Sequence, residues 1–258
     1  MSDAVKAELE RSGSTIALVS RSGLDLRRLG ERYSHAGLSL RDHVEVPWAV
    51  RQLYYACDEH APRLFDQGIS GFLLGTEDPD LGYLSLVFLP AQEASTLAQR
   101  ALDKSQALSL LAATYSANAY PFSVRYQNCN QWVLELLATA LGALPASDST
   151  AEARTNAQQW LQQHQYQPAA FRVGFLVKWA SRFVRWVHSD DHPQANLRQA
   201  RYLVTLPAAI ETFVHNRVPA ATRVELCHNR EHIVIHRGWD AIGENCSPAP
   251  QDTVIAFD

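Results

Sequence analysis

Four cysteines in 258 residues are too few to staple a fold, and no CxxC pair occurs among them. Cys227 and Cys246 share the C-terminal stretch and would pair in an oxidising compartment; the expectation is four independent thiols. Basic charge is also in short supply: 23 Lys and Arg against 27 Asp and Glu leave a formal charge of −4. Such a chain has no global pull toward nucleic acid or an anionic membrane, and the densest basic run, Arg27-Arg28 with Arg32, is too short to supply one. Long apolar runs are missing as well. A membrane-spanning helix needs ~18 apolar residues, and the best stretch, 171–187, is interrupted by Arg172, Lys178, Arg182 and Arg185. The opening MSDAVKAELERSGS has neither the cationic flank nor the apolar centre of a secretion signal. The expected location is the cytoplasm for the sequence as it stands, or the periplasm if a leader has been removed. Apolar residues make up 47%, enough for a core, which excludes disorder as the overall state.

Periodicity gives an α+β order. Residues 3–11 read as a helix with Val5 and Leu9 on one side, and 15–19 as a buried strand. Residues 33–40 alternate, with Ala36, Leu38 and Leu40 on the core face and Tyr33, His35, Gly37 and Ser39 opposite. Strands at 49–56 and 81–89 follow, then helices at 91–103 and 104–113. Asn128 reads as the N-cap of the next helix, with Gln131 completing a capping box and Trp132, Val133, Leu136, Leu137, Ala140 and Leu141 forming a buried stripe. Past a small, polar linker at 145–150 come a helix at 151–164, an extended piece at 171–173 and an amphipathic helix at 175–187. A strand at 202–205, a helix at 208–216 and a hairpin of 223–227 with 232–236 close the reading.

Three constellations carry chemistry. Cys129 falls in the first turn of its helix, where backbone N–H groups and the helix dipole stabilise a thiolate. A cysteine nucleophile also needs an imidazole, and His35, with Gly37 leaving room beside it, is the candidate. The bland alternative is a buried cysteine acting as a small hydrophobe. The second cluster is His188, Asp190, Asp191 and His192. A turn capped by one of the aspartates, with His192 packed on the core, is preferred there to a metal site. The third is Cys227, His228, His232 and His236, read as solvated hairpin histidines since the spacing fits no standard zinc finger. The apolar face of 175–187 is read as core packing in preference to membrane docking.

The order Ser34-His35-Ala36-Gly37-Leu38, then Asn128-Cys129-Asn130-Gln131-Trp132, resembles circularly permuted papain-like proteins, relatives of the NlpC-type and lecithin–retinol acyltransferase-like enzymes. In that group the histidine strand precedes the cysteine helix, and a polar residue on the neighbouring strand orients the imidazole. Gln52 matches that third place, holding the ring by a hydrogen bond but adding no charge. A more extended resemblance spans about 14–217. Tyr33 to Gly37, Ala119-Tyr120-Pro121, Arg125 to Trp132, Ala157 to Leu161, Tyr166-Gln167-Pro168 and Asp190-Asp191-His192-Pro193 look like bacterial domain-of-unknown-function family 2145. That family often has serine in the place of Cys129, which keeps a non-catalytic reading in play.

The sequence therefore implies an α+β protein with a permuted papain-like core over 14–145, a mainly helical elaboration over 146–217 and a short β-hairpin tail over 218–258. The expected activity is cysteine-dependent amide or ester hydrolysis or acyl transfer. Cys129 would be the nucleophile, His35 the base and Gln52 its orienter, with Tyr126, Gln127 and Asn128 around the oxyanion and Asp190, Asp191 and His192 as a secondary cluster. No cofactor or metal is expected. The substrate would be a peptide, cell-wall or lipid acyl group; the rival is a binding protein on the same scaffold.

Overall fold

The computed structural model describes residues 1–76, 78–172 and 184–257. Its elements begin with α1 (Ser2–Arg11), β1 (Ile16–Arg21), β2 (His35–Leu40), β3 (Ala49–Ala56) and β4 (Ala61–Gln67). Next are α2 (Ile69–Leu73), β5 (Gly82–Phe88), α3 (Ala91–Leu102), α4 (Lys104–Ser109), α5 (Cys129–Leu141) and α6 (Thr150–Gln163). The remainder comprises β6 (Ala169–Arg172), α7 (Gln194–Arg198), β7 (Arg201–Val204), α8 (Pro207–Arg217), β8 (Thr222–His228), β9 (His232–Arg237) and β10 (Thr253–Ala256). This is a mixed α+β architecture with a large antiparallel sheet.

Two compact units divide the chain. The first unites Met1–Arg51, Asp66–Ala98 and Val214–Asp258; the second unites Gln52–Phe65 and Gln99–Phe213. The eight-stranded sheet has the order β10-β9-β8-β5-β1-β2-β3-β4. The C-terminal hairpin is no appendage, because β8 pairs with β5 along its whole length, from Gly82 opposite His228 to Phe88 opposite Thr222. On one face Ala17, Val19, Leu84, Leu86, Val224, Leu226, Ile233 and Ile235 pack with Val5 and Leu9 of α1 and Ile69 and Phe72 of α2. Each strand contributes alternate residues, as the two-residue period of a strand requires.

Strand β2 departs from the one-faced alternation expected of it, since all six of its residues are buried. Ala17 lies opposite Ser39, Val19 opposite Gly37 and Arg21 opposite His35, so the second face belongs to the core beneath α1 and α2. The expected helix at 175–187 lies for the most part outside the described residues, and 184–187 form turn and irregular backbone.

The expectation of four free thiols fails. Cys227 and Cys246 form a disulfide with Cα atoms 5.6 Å apart, and both are fully buried with Tyr33, Tyr83, Val234 and Ile242. Of the tail histidines expected to be solvated, His236 is buried and His228 and His232 are half-buried. His236 is buried with its Nδ1 2.7 Å from Asp252, and His232 Nε2 lies 3.0 Å from the Cys246 carbonyl oxygen. Next to the disulfide cluster, the fully buried Glu225 accepts from Arg32 and Arg223 at 3.0 Å, from the Ile242 N–H at 2.8 Å and from the Tyr33 hydroxyl. A carboxylate taken from water is tolerated when its lone pairs are filled in this way.

Candidate functional site

Helix α5 starts at Cys129 because Asn128 stops the chain in an extended conformation and its Oδ1 accepts the Gln131 N–H at 2.7 Å. Only half of the expected capping box forms. The Gln131 amide donates to Glu135 at 3.0 Å and to the Pro121 carbonyl at 3.3 Å, not back to the cap. Nor is α5 a one-striped helix: every residue from Asn130 to Ala140 is buried. Its polar members bond one another and the surrounding loops, apart from Gln131 Oε1, which is buried with no hydrogen-bond partner among the described residues.

The anchor is Glu135. It is fully buried and accepts from Gln127 Nε2 at 2.7 Å, Gln131 Nε2 at 3.0 Å, Gln158 Nε2 at 2.7 Å and Arg154 Nε at 2.8 Å. Arg154 extends from α6 and also donates to the carbonyls of Val124 at 2.7 Å and Tyr126 at 2.9 Å. One ion pair thus fixes the loop that delivers Cys129. The Gln127 side chain faces this network, its Oε1 accepting the Ala112 N–H at 3.0 Å. Asn128 Nδ2 reaches the Thr205 carbonyl at 3.2 Å, and so does Asn130 Nδ2. Tyr126 stacks on His188 with centroids 4.5 Å apart, and burial followed by its bond to Asp190 pushes its phenol up. These three side chains, expected around an oxyanion, are engaged by the scaffold.

Cys129 itself is half-buried, whereas Asn130 to Ala140 are buried. Residues 114–116 run beside it, joined by the Ser116 N–H to the Gln127 carbonyl at 3.0 Å and the Gln127 N–H to the Thr114 carbonyl at 3.2 Å. This bridge sets Tyr115, near Tyr54, beside the Cys129 side chain. Burial first, then the charge of the neighbouring sulfur, holds the Tyr115 phenol well above its ordinary range, so it stays a proton donor. Tyr55 packs on Tyr115 at 5.3 Å and on Trp186 at 5.8 Å, and its hydroxyl lies 3.3 Å from His60 Nδ1.

The secondary cluster occupies the same unit. Asp190 pairs with Arg125 at 2.7 Å on the surface. Asp191 is sealed, accepting the Tyr120 N–H at 2.8 Å through Oδ2, and burial pushes its carboxyl up. His192 is buried with Nε2 2.8 Å from the Asn118 carbonyl oxygen. Asp191 Oδ1 and His192 Nδ1 have no hydrogen-bond partner among the described residues. No group of three His, Cys, Asp or Glu among those residues is arranged to hold a metal ion.

His35 belongs to the first unit, on β2, with its ring centroid 6.0 Å from that of Phe72 and Arg21 across the ladder. Gln52 belongs to the second and is fully buried on β3, on the same side of that strand as Val50. A cavity of about 340 Å³ in the first unit, bounded by Glu8, Arg11, Phe88, Ala94, Val224 and Arg237, is lined by none of the expected site residues. Sequence reasoning missed Glu135, Arg154 and Tyr115. A lone glutamate in the otherwise apolar VLELLATAL was the available sign of the first; Tyr115 offered none, since it reaches the thiol through a bridge between loops.

A family model described as an uncharacterized protein conserved in bacteria (DUF2145) matches residues 8–214. No curated protein and no solved structure matches the chain.

Proposed function

The chain belongs to this bacterial family, DUF2145, and on that premise we propose that it is a thiol-dependent amide or ester hydrolase or acyltransferase on a permuted papain-like scaffold. In this reading the Cys129 thiolate attacks the substrate carbonyl carbon and His35 receives the thiol proton. As the carbonyl re-forms, the bond to the amine or alcohol breaks and His35 returns the proton to that leaving group. Water, or an acceptor alcohol or amine, then takes the acyl group from sulfur. Gln52 orients the imidazole, and the Cys129 N–H supports the oxyanion. The substrate is a peptide, cell-wall or lipid acyl group.

The observation that carries the reading is the thiol at the capped start of α5, half-buried where the eleven residues that follow it, Asn130 to Ala140, are buried. A structural cysteine would be expected to follow its neighbours into the core. The Cys227–Cys246 disulfide supports residence in an oxidising compartment such as the periplasm, in preference to the cytoplasm.

The test is the pH dependence of iodoacetamide labelling at Cys129, resolved by peptide mass mapping, in wild type and His35→Ala. Labelling well below pH 8 that is lost in the variant supports the thiolate–imidazole pair. Labelling that rises only near the ordinary thiol value of ~8.5 in both proteins overturns it and favours a binding protein.

A further inference from the structure

We infer that Tyr115 is a second group acting on the reactive sulfur: its hydroxyl donates to Cys129 Sγ and holds the thiolate in place before substrate arrives. The inference rests on the proposed nucleophilic role of Cys129. Its support is the local architecture of the second unit. The two backbone bonds that Ser116 and Thr114 make with Gln127, at 3.0 and 3.2 Å, set Tyr115 opposite a residue two positions before the thiol. Its ring is held against Tyr55, which is in turn packed on Trp186. The phenol is therefore presented to the sulfur from a backbone pinned on both sides and a ring packed on its neighbour, and a donor fixed before reaction costs no reorganisation when charge appears.

The chemistry is specific to the phenol. A hydrogen bond to a thiolate favours the charged form, so it lowers the pH at which the sulfur becomes nucleophilic. Because burial keeps the phenol protonated, the donor persists across the working pH range. The same bond makes the thiolate a slightly weaker nucleophile, so the gain is in thiolate population near neutral pH.

The experiment compares iodoacetamide labelling of Cys129 between pH 5 and 9.5 in wild type, Tyr115→Phe, Tyr55→Phe and His35→Ala, with circular dichroism melts as the control for folding. Tyr115→Phe keeps the ring that packs on Tyr55 and removes only the hydroxyl. The expected result is a labelling midpoint raised by about one pH unit, or about tenfold slower labelling at a fixed pH below the midpoint. Tyr55→Phe, which removes the neighbouring hydroxyl, is expected to leave that midpoint where it is. A Tyr115→Phe midpoint equal to that of wild type, in a folded protein whose wild-type thiol labels at low pH and responds to His35→Ala, overturns the role of Tyr115 and leaves the proposed function standing. An ordinary wild-type thiol, unresponsive to His35, overturns both.

Discussion

Arg154 and Glu135 meet at 2.8 Å with 1% and 0% of their side chains exposed, and between them they bind the backbone of 124–126 and three glutamine side chains. Replacing one partner leaves the other charged, dry and unpaired. Arg154→Leu and Glu135→Gln are each expected to destabilise the protein by about 3–5 kcal/mol. Urea unfolding followed by circular dichroism measures it; a loss below about 1 kcal/mol, the range of a surface pair, would show the pair to be solvated.

The disulfide makes a separate prediction. Under native, non-reducing conditions alkylation should reach Cys57 and Cys129 and spare Cys227 and Cys246. Closing a loop between residues 19 apart in sequence is worth about 3 kcal/mol by chain entropy. Cys227→Ala/Cys246→Ala should therefore lower unfolding stability by that order. Alkylation of all four sulfurs in the folded, unreduced protein would contradict the bridge.

Burial raises the Asp191 carboxyl above its ordinary value of 3.8. The folded state then binds a proton that the unfolded state has released, so stability falls as pH rises from the unfolded value through the folded one. His192 and Asp190 both act on this carboxyl, His192 lowering its pKa and Asp190 raising it, but burial comes first. Asp191→Asn keeps an acceptor for the Tyr120 N–H and cannot ionise. Its stability relative to wild type is expected to improve between pH 3.5 and 7, read from urea midpoints at successive pH values. A constant difference across that range would refute the account.

What the sequence revealed and what it hid divide along physical lines. Strands β1, β3 and β5 and helices α1, α3, α5 and α6 were legible because their apolar spacing reports a packed surface. The overlooked strands β4 and β10 are the two edges of the sheet. β4 contains Pro62 and two charges in APRLFDQ, and β10 is exposed at all four residues, so neither has a buried face to impose a period. The Asn128 cap was readable as a local rule between neighbours. The Arg154–Glu135 pair joins two helices, and Tyr115 comes beside Cys129 from a loop distant in sequence. No short-range pattern encodes either.

The placement of β8 beside β5 has a consequence for how the chain is made. The ladder from Gly82–His228 to Phe88–Thr222 closes across more than a hundred residues that belong mostly to the other compact unit. Loop-closure entropy grows slowly with that length, so the cost to stability is modest, but the delay is not. During synthesis 99–213 leaves the ribosome before β8 exists, and until then β5 has an unpaired edge of N–H and C=O groups, with Leu84, Leu86 and Phe88 lacking their covering neighbours. An open edge of that kind is a template for misassociation. The first unit is thus the last to be completed, although the chain begins with it, and a protein truncated before β8 would carry this exposed edge permanently.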